Sequence, residues 1–414
     1  MKNTALSNPR NGLIQKSVYL FVMYTILTMA VYILPYTKLM LPYIGVATLM
    51  LVSLPLFMMK KSDWFRYGIV LIGVTTLLMF VYLINGSSYV GAINDAIRNI
   101  RFFLPVLWGC FAIEYCTPKQ QKMMLIAFVA VTGLVLYKTL LALEVEPWIV
   151  RILAEDQSYS TPEINAFRLD NVGGYAFAYM MGIVTICVTD LVFSLKKKWQ
   201  KVIAVIGVVF CFYFIIKSMY TTLLILSSMC VLLVLLFRVK SLPAKVTVVI
   251  GFIVLAICIV PLVEFLSQAF GGSLLSKKFG QIHTALTGGG TESLGLRPQL
   301  LKQALLNWMK TPLLGSNYDT PSHSLIFEIL QQNGIVGLFF WLYMFFASCN
   351  IINRKMKAHN IDPVSFKLCC VYLFVLSIFN DTRYVFEITL ALFFMVPIYA
   401  DFLGNVNNSC ARGK

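Results

Sequence analysis

Few side chains in this sequence could do chemistry, and they are cations and one imidazole set among long apolar runs. His323 precedes the apolar run that starts at Leu325. Thr320 suits a helix N-cap and Pro321 a first helical position, so the spacing predicts a helix with His323 in its opening turn, beside a partly positive helix end. An imidazole there can take a proton from a hydroxyl or, when protonated, hold a phosphate. Arg297 opens a stretch in which Leu296, Leu300, Leu301, Ala304, Leu305 and Trp308 share one helical face, with Pro298 in the first turn. A guanidinium on such an amphipathic helix can grip a pyrophosphate through two parallel hydrogen bonds, or can simply bind lipid headgroups.

Three further cations invite the same two readings. Arg168 lies in AFRLDNVGG, where Gly173-Gly174 allows close backbone approach and Asp170 offers a competing ion pair. Lys217 interrupts the apolar sequence from Val202 to Phe237, so it lines a polar cavity or snorkels to the interface. Arg383 sits in the short turn Asn380-Asp381-Thr382-Arg383, with Asp381 as a local partner. Lys138 and Glu387, inside apolar runs, are cavity candidates without a motif, and Glu328 follows His323 by five positions, which is poor spacing for orienting it directly. The Gly288-Gly289-Gly290 run lacks the strand and Gly-Lys context of a phosphate cradle and reads as a turn.

The elements that must hold these residues are membrane spans. A chain of 414 residues that is 59% hydrophobic and 13% charged exceeds what a soluble core can bury. Apolar runs of crossing length predict an all-α polytopic protein with about 12 transmembrane helices. The boundaries fall near 17–36, 39–59, 67–85, 102–116, 123–143, 172–194, 202–218, 219–238, 246–265, 322–348, 367–380 and 384–402. With both termini cytoplasmic, every intended inner segment carries Lys or Arg, among them Lys60, Lys61, Lys119, Lys196, Lys197, Lys240, Arg354 and Lys357. The +16 net charge is thereby accounted for without nucleic acid. Two long outer loops form a cap on this single membrane domain: 144–171, which is acidic, and 266–321, which is basic and holds the amphipathic helix. Outward positive charge runs against the topology trend and implies a task. The ten Cys show no metal-ligand spacing and read as small buried hydrophobes; no metal and no cofactor is expected. The first apolar run is long enough to span and lacks a cleavage site, so a cleavable signal peptide is not expected.

Gly295, Arg297, Trp308, Pro312, Gly315, His323, Gly334 and Gly337 together resemble the signature loop of the O-antigen ligase and O-antigen polymerase superfamily. Members usually have Asn after the His, where this chain has Ser324. Arg168 with Asn171 and the Gly pair is similar to the stretch ahead of the sixth span, and Lys217-Ser218 stands where related ligases break a helix at Arg. The resemblance implies a multi-pass glycosyltransferase of the bacterial plasma (inner) membrane, with its active site on the outer face. Its donor would be an undecaprenyl-pyrophosphate-linked oligosaccharide and its acceptor a glycan or glycolipid, working beside other polysaccharide assembly proteins. It further implies an inverting, metal-independent transfer in which His323 and Arg297 are catalytic and Arg168, Lys217, Arg297 and Arg383 bind pyrophosphate. The Lys and Ser departures favour a repeat-unit polymerase for O-antigen, capsule or exopolysaccharide over a ligase. A polysaccharide flippase would also suit twelve spans, but that class tends to show paired halves, and here the hydrophilic mass is unequal.

Overall fold

Thr117 and Gln120 cap one another across the start of a long helix, and Ser88 and Ser324 cap two more through side-chain oxygens. In the computed structural model, which describes residues 9–40, 63–86, 88–155, 162–269, 271–272, 276, 279–280, 283–284, 292–316, 323–382 and 385–412, such starts open an array of helices with no strand among the described residues. In chain order these are α1 (Pro9–Ile33), α2 (Pro35–Met40), α3 (Asp63–Ile84), α4 (Tyr89–Tyr115), α5 (Pro118–Val145), α6 (Ile149–Glu155), α7 (Pro162–Leu169) and α8 (Tyr175–Ser194). There follow α9 (Lys198–Lys217), α10 (Thr221–Arg238), α11 (Leu242–Ala269), α12 (Glu292–Lys310), α13 (Leu325–Ala358), α14 (Val364–Phe379), α15 (Phe386–Leu390), a π-helical turn (Ala391–Met395) and α16 (Val396–Arg412).

Among the described residues, 9 helical segments are long and apolar enough to cross a bilayer, which makes this an all-α multi-pass membrane protein. All but the first two residues of the predicted span 39–59 lie outside the described residues, as do the interior of the outer loop at 285–291 and Arg383. The predicted 367–380 falls in α14, whose 16 residues are short for a crossing, and 246–265 falls in α11.

Burial separates a central set of helices from a peripheral one. The π-helical turn is buried throughout, and it touches α4 so closely that a Cβ at Gly109 would strike the Phe393 carbonyl oxygen. Tyr372 on α14 donates to the Tyr179 carbonyl on α8 at 2.9 Å, over a Gly182 that leaves room for its ring. α9, by contrast, turns Val202, Ile203, Ile206 and Val209 outward, an apolar exterior that suits lipid and not water.

The bundle has two chemically different ends. At one, Arg238 pairs with both Asp190 and Asp362, and Ser365 donates to Asp190 at 2.5 Å; Lys355 meets Glu114 at 2.6 Å and Gln121 donates to Asp401 at 2.5 Å. At the other, the two long loops and the turn after α14 join the helices through hydrogen bonds to backbone carbonyls. Each of these contacts joins helix ends that the alternation of Lys and Arg along the sequence assigns to one side.

Candidate functional site at the loop end

Pro312 and Gly315 stop α12, and what they dock against is a break in α13. Gly334 has φ 64° and ψ −164°, which no residue with a side chain adopts readily, and it divides α13 into Leu325–Asn333 and a long second part. Unbroken, the 34 residues of α13 would reach about 51 Å, well past a hydrocarbon core of ~30 Å. Backbone groups freed at the break bond to the turn after α12: Ser316 N–H donates to the Gln331 carbonyl at 2.9 Å, Ile335 N–H to Pro312 at 2.9 Å and Val336 N–H to Leu313 at 3.2 Å. Asn85 adds donations to Leu314 and Gln332 carbonyls at 2.6 and 2.8 Å. Trp308 closes the set by donating to the Pro312 carbonyl at 3.0 Å. Trp308, Pro312, Gly315 and Gly334 therefore seat the amphipathic helix on α13.

That helix starts at Glu292, earlier than Pro298 suggested, so Arg297 lies in its second turn and does not open it. A Glu in a first turn complements the helix dipole, which explains the earlier start. α12 packs against α13.

α13, by contrast, begins later than expected. Its N-cap is Ser324, whose Oγ accepts from Phe327 N–H at 3.5 Å, and Thr320-Pro321 lies outside the described residues. The reason is His323, whose φ of 55° places it in the left-handed region and outside the helix. His323 is exposed at the loop end. Ser is among the residues preferred at an N-cap.

The turn between α14 and α15 collects the separated stretches. Its Asn380 carbonyl accepts from Leu325 N–H at 3.2 Å, next to His323, and its Asp381 carbonyl accepts from the Tyr175 hydroxyl at 3.3 Å, at the start of α8. The Tyr175 ring lies 5.9 Å from that of Tyr220, which occupies the gap between α9 and α10 and donates to the Val150 carbonyl at 3.3 Å. Lys217 ends α9 just before that gap. It is not deep in hydrocarbon: its Nζ lies 3.1 Å from Glu144 at the end of α5 and 5.8 Å from the Tyr213 ring. Arg168, half-buried in the last turn of α7, is held by the next turn, where Asn171 N–H donates to the Arg168 carbonyl at 3.1 Å and the Asn171 side chain accepts from Tyr36 N–H at 3.1 Å.

Arg168, Lys217 and His323 thus come to one end of the bundle, each beside a residue of positive φ. Asn171 (60°), Met219 (59°) and His323 itself stand just ahead of α8, α10 and α13. A buried Met in that conformation is strained, and strain of this kind persists where surrounding structure over-determines it. Arg297's side chain and all of Arg383 lie outside what is described. Glu328 is buried on the first part of α13, and Glu387 is buried at the start of α15. Lys138 is half-buried on α5, one residue before Thr139, which accepts from Gly173 N–H at 2.8 Å. The sequence alone did not reveal Tyr175 and Tyr220, because tyrosines at span ends are ordinary interface residues. Among the described residues no cluster of His, Cys, Asp or Glu could hold a metal ion.

The fold and this end define a class, a polytopic helical membrane protein with a polar, turn-rich end that gathers cations and an imidazole. Compared with known proteins, the chain matches no family model and no curated protein.

Proposed function

We propose that the protein is a glycosyltransferase of the bacterial plasma membrane that lengthens a polysaccharide by joining repeat units carried on polyprenyl pyrophosphate. The observation that supports it most is the α14–α15 turn, which ties the strand of chain holding His323 to the Tyr175–Tyr220 contact flanked by Arg168 and Lys217. His323 takes the proton from the acceptor sugar hydroxyl, and that oxygen attacks the anomeric carbon of the donor from the face opposite the pyrophosphate. The bond from that carbon to the pyrophosphate oxygen breaks, and the leaving group departs with the electron pair. Arg168, Lys217 and Arg297 neutralise the charge that develops on it, the largest kind of stabilisation available to such a step. The outer face is the working side, since lipid-linked repeat units are exposed there once flipped.

The test is reconstitution of the purified chain in lipid nanodiscs with a lipid-linked repeat unit from its host. Polymerisation yields a ladder of products; a single transfer to an added glycolipid would identify a ligase, and substrate that changes leaflet without reacting would identify a flippase. A positioned general base contributes about 10²–10⁴-fold, so His323→Ala should slow ladder formation by that much. An unchanged rate would remove His323 from the mechanism.

A further inference from the structure

The α14–α15 turn has a second side, and the polar groups there belong to none of the residues used so far. Arg101 on α4 lies beside the last turn of α1 and the first turn of α15: its guanidinium carbon is 5.2 Å from the centroid of the Tyr32 ring, whose own neighbour is the Phe386 ring at 4.4 Å. Glu387 follows Phe386 and is 4% exposed, and the charges of Arg101 and Glu387 both reach the Tyr32 hydroxyl. Arg101 Nε is buried with no hydrogen-bond partner among the described residues. Two helical turns further along the same face of α4, Trp108 is fully buried, its ring 5.9 Å from Phe386, and its Nε1 also has no partner among the described residues. Two orphaned donors beside a buried carboxylate are costly unless something polar comes to meet them.

We infer that Arg101, Tyr32 and Glu387 form a binding site for the hydroxyl groups of the acceptor sugar. The inference rests on the glycosyltransfer reading and assigns that reaction's second substrate. Its chemistry follows from the groups present: among the described residues a guanidinium, a phenol and a carboxylate stand together here. A sugar hydroxyl both donates and accepts, and the site offers both kinds of partner: Glu387 accepts, while Arg101 and Tyr32 donate. The aromatic rings of Tyr32 and Phe386 give the apolar walls that sugar-binding pockets use beside a few placed polar groups.

Arg101→Lys, Glu387→Gln and Tyr32→Phe, each close in shape to the native residue, test this in the reconstituted chain. The donor is the lipid-linked repeat unit, and the acceptor probe is the same oligosaccharide released from lipid and phosphate. Each variant should raise the KM for the free oligosaccharide about tenfold while leaving the KM for the lipid-linked donor unchanged. Saturation-transfer NMR should show the free oligosaccharide bound to wild type and not to Arg101→Lys, whether or not turnover occurs. Equal rises in both KM values would assign these residues to the donor or to folding, and unchanged values would leave them structural; either result overturns the inference. Wild-type chain that binds the free oligosaccharide but transfers nothing would instead overturn the glycosyltransfer reading.

Discussion

Lys217 shows how little a residue's type says until its neighbours are known. From the sequence it was a charge in a long apolar run; in the fold it closes a helix, 3.1 Å from Glu144. Its side chain is 25% exposed and that of Glu144 62%, and pairs so open to solvent contribute about 0–1 kcal/mol. The pair therefore does little to hold α5 to α9, and the two residues can be separated by experiment. Glu144→Ala should leave both thermal stability and transfer within about twofold of wild type, since only a screened contact is lost. If the proposed transfer is correct, Lys217→Ala removes a cation from the leaving-group side and should lower transfer by about 10²-fold, with the melting temperature unmoved. Matching losses in the two variants, read in the same ladder assay, would mean that Lys217 is only the partner of Glu144. His323 makes the complementary point: the sequence placed it in the opening turn of a helix, whereas its positive φ keeps it outside the helix that starts at Leu325.

Among the elements, the resemblance-bearing stretch divides into residues that build and residues left to react. Gly315 has φ 74°, and a Cβ on it would sit 2.5 Å from the Gln332 carbonyl carbon; one on Gly334 would strike Leu313. The left-handed conformation alone costs a residue with a side chain about 1–2 kcal/mol, and overlap with backbone adds to it. Gly315→Ala and Gly334→Ala should each lower the melting temperature and weaken transfer. The double variant should lose less than the sum, because both break one interlock. Gly133→Ala, where a Cβ meets nothing within 4 Å, is the control and should be neutral or slightly stabilising. Additive losses in circular-dichroism melts would mean that the turn after α12 and the break in α13 are independent. Helix content and order could be read from apolar run length, since a bilayer sets it. The break at Gly334 could not, because the run from Leu325 continues through it and only the tertiary contact with Pro312–Ser316 makes use of the lost helical bonds. Arg101 was missed for a related reason: the fourth apolar run was read from residue 102, whereas α4 starts at Tyr89 and carries Arg101 within it.

At the scale of the whole molecule, the two ends do different work. Asp190, 2% exposed, would be costly as a lone buried charge; Arg238 and Ser365 meet it from two other helices, and Arg238 also pairs with Asp362. That end is closed by ion pairs, among them Lys355 with Glu114, and carries the run Lys196, Lys197 and Lys198, which the positive-inside rule assigns to the cytoplasm. The other end is joined largely through hydrogen bonds to backbone carbonyls, with Lys217 and Glu144 as an ion pair, and it holds Arg168 and the exposed His323. If the two ends face opposite sides of the membrane, thiol labelling of intact cells will separate them. Single cysteines at exposed positions Asp170 and Met309 should react with a membrane-impermeant maleimide, and cysteines at Lys197 and Lys357 should react only after the membrane is permeabilised. Cys410 is replaced by Ser in these variants; of the native cysteines whose side chains are described, Cys258 is the one exposed, and it lies inside α11. Labelling in the reverse pattern would turn the cation-gathering end toward the cytoplasm, where flipped lipid-linked glycan is not found, and the proposed reaction would lose its substrate.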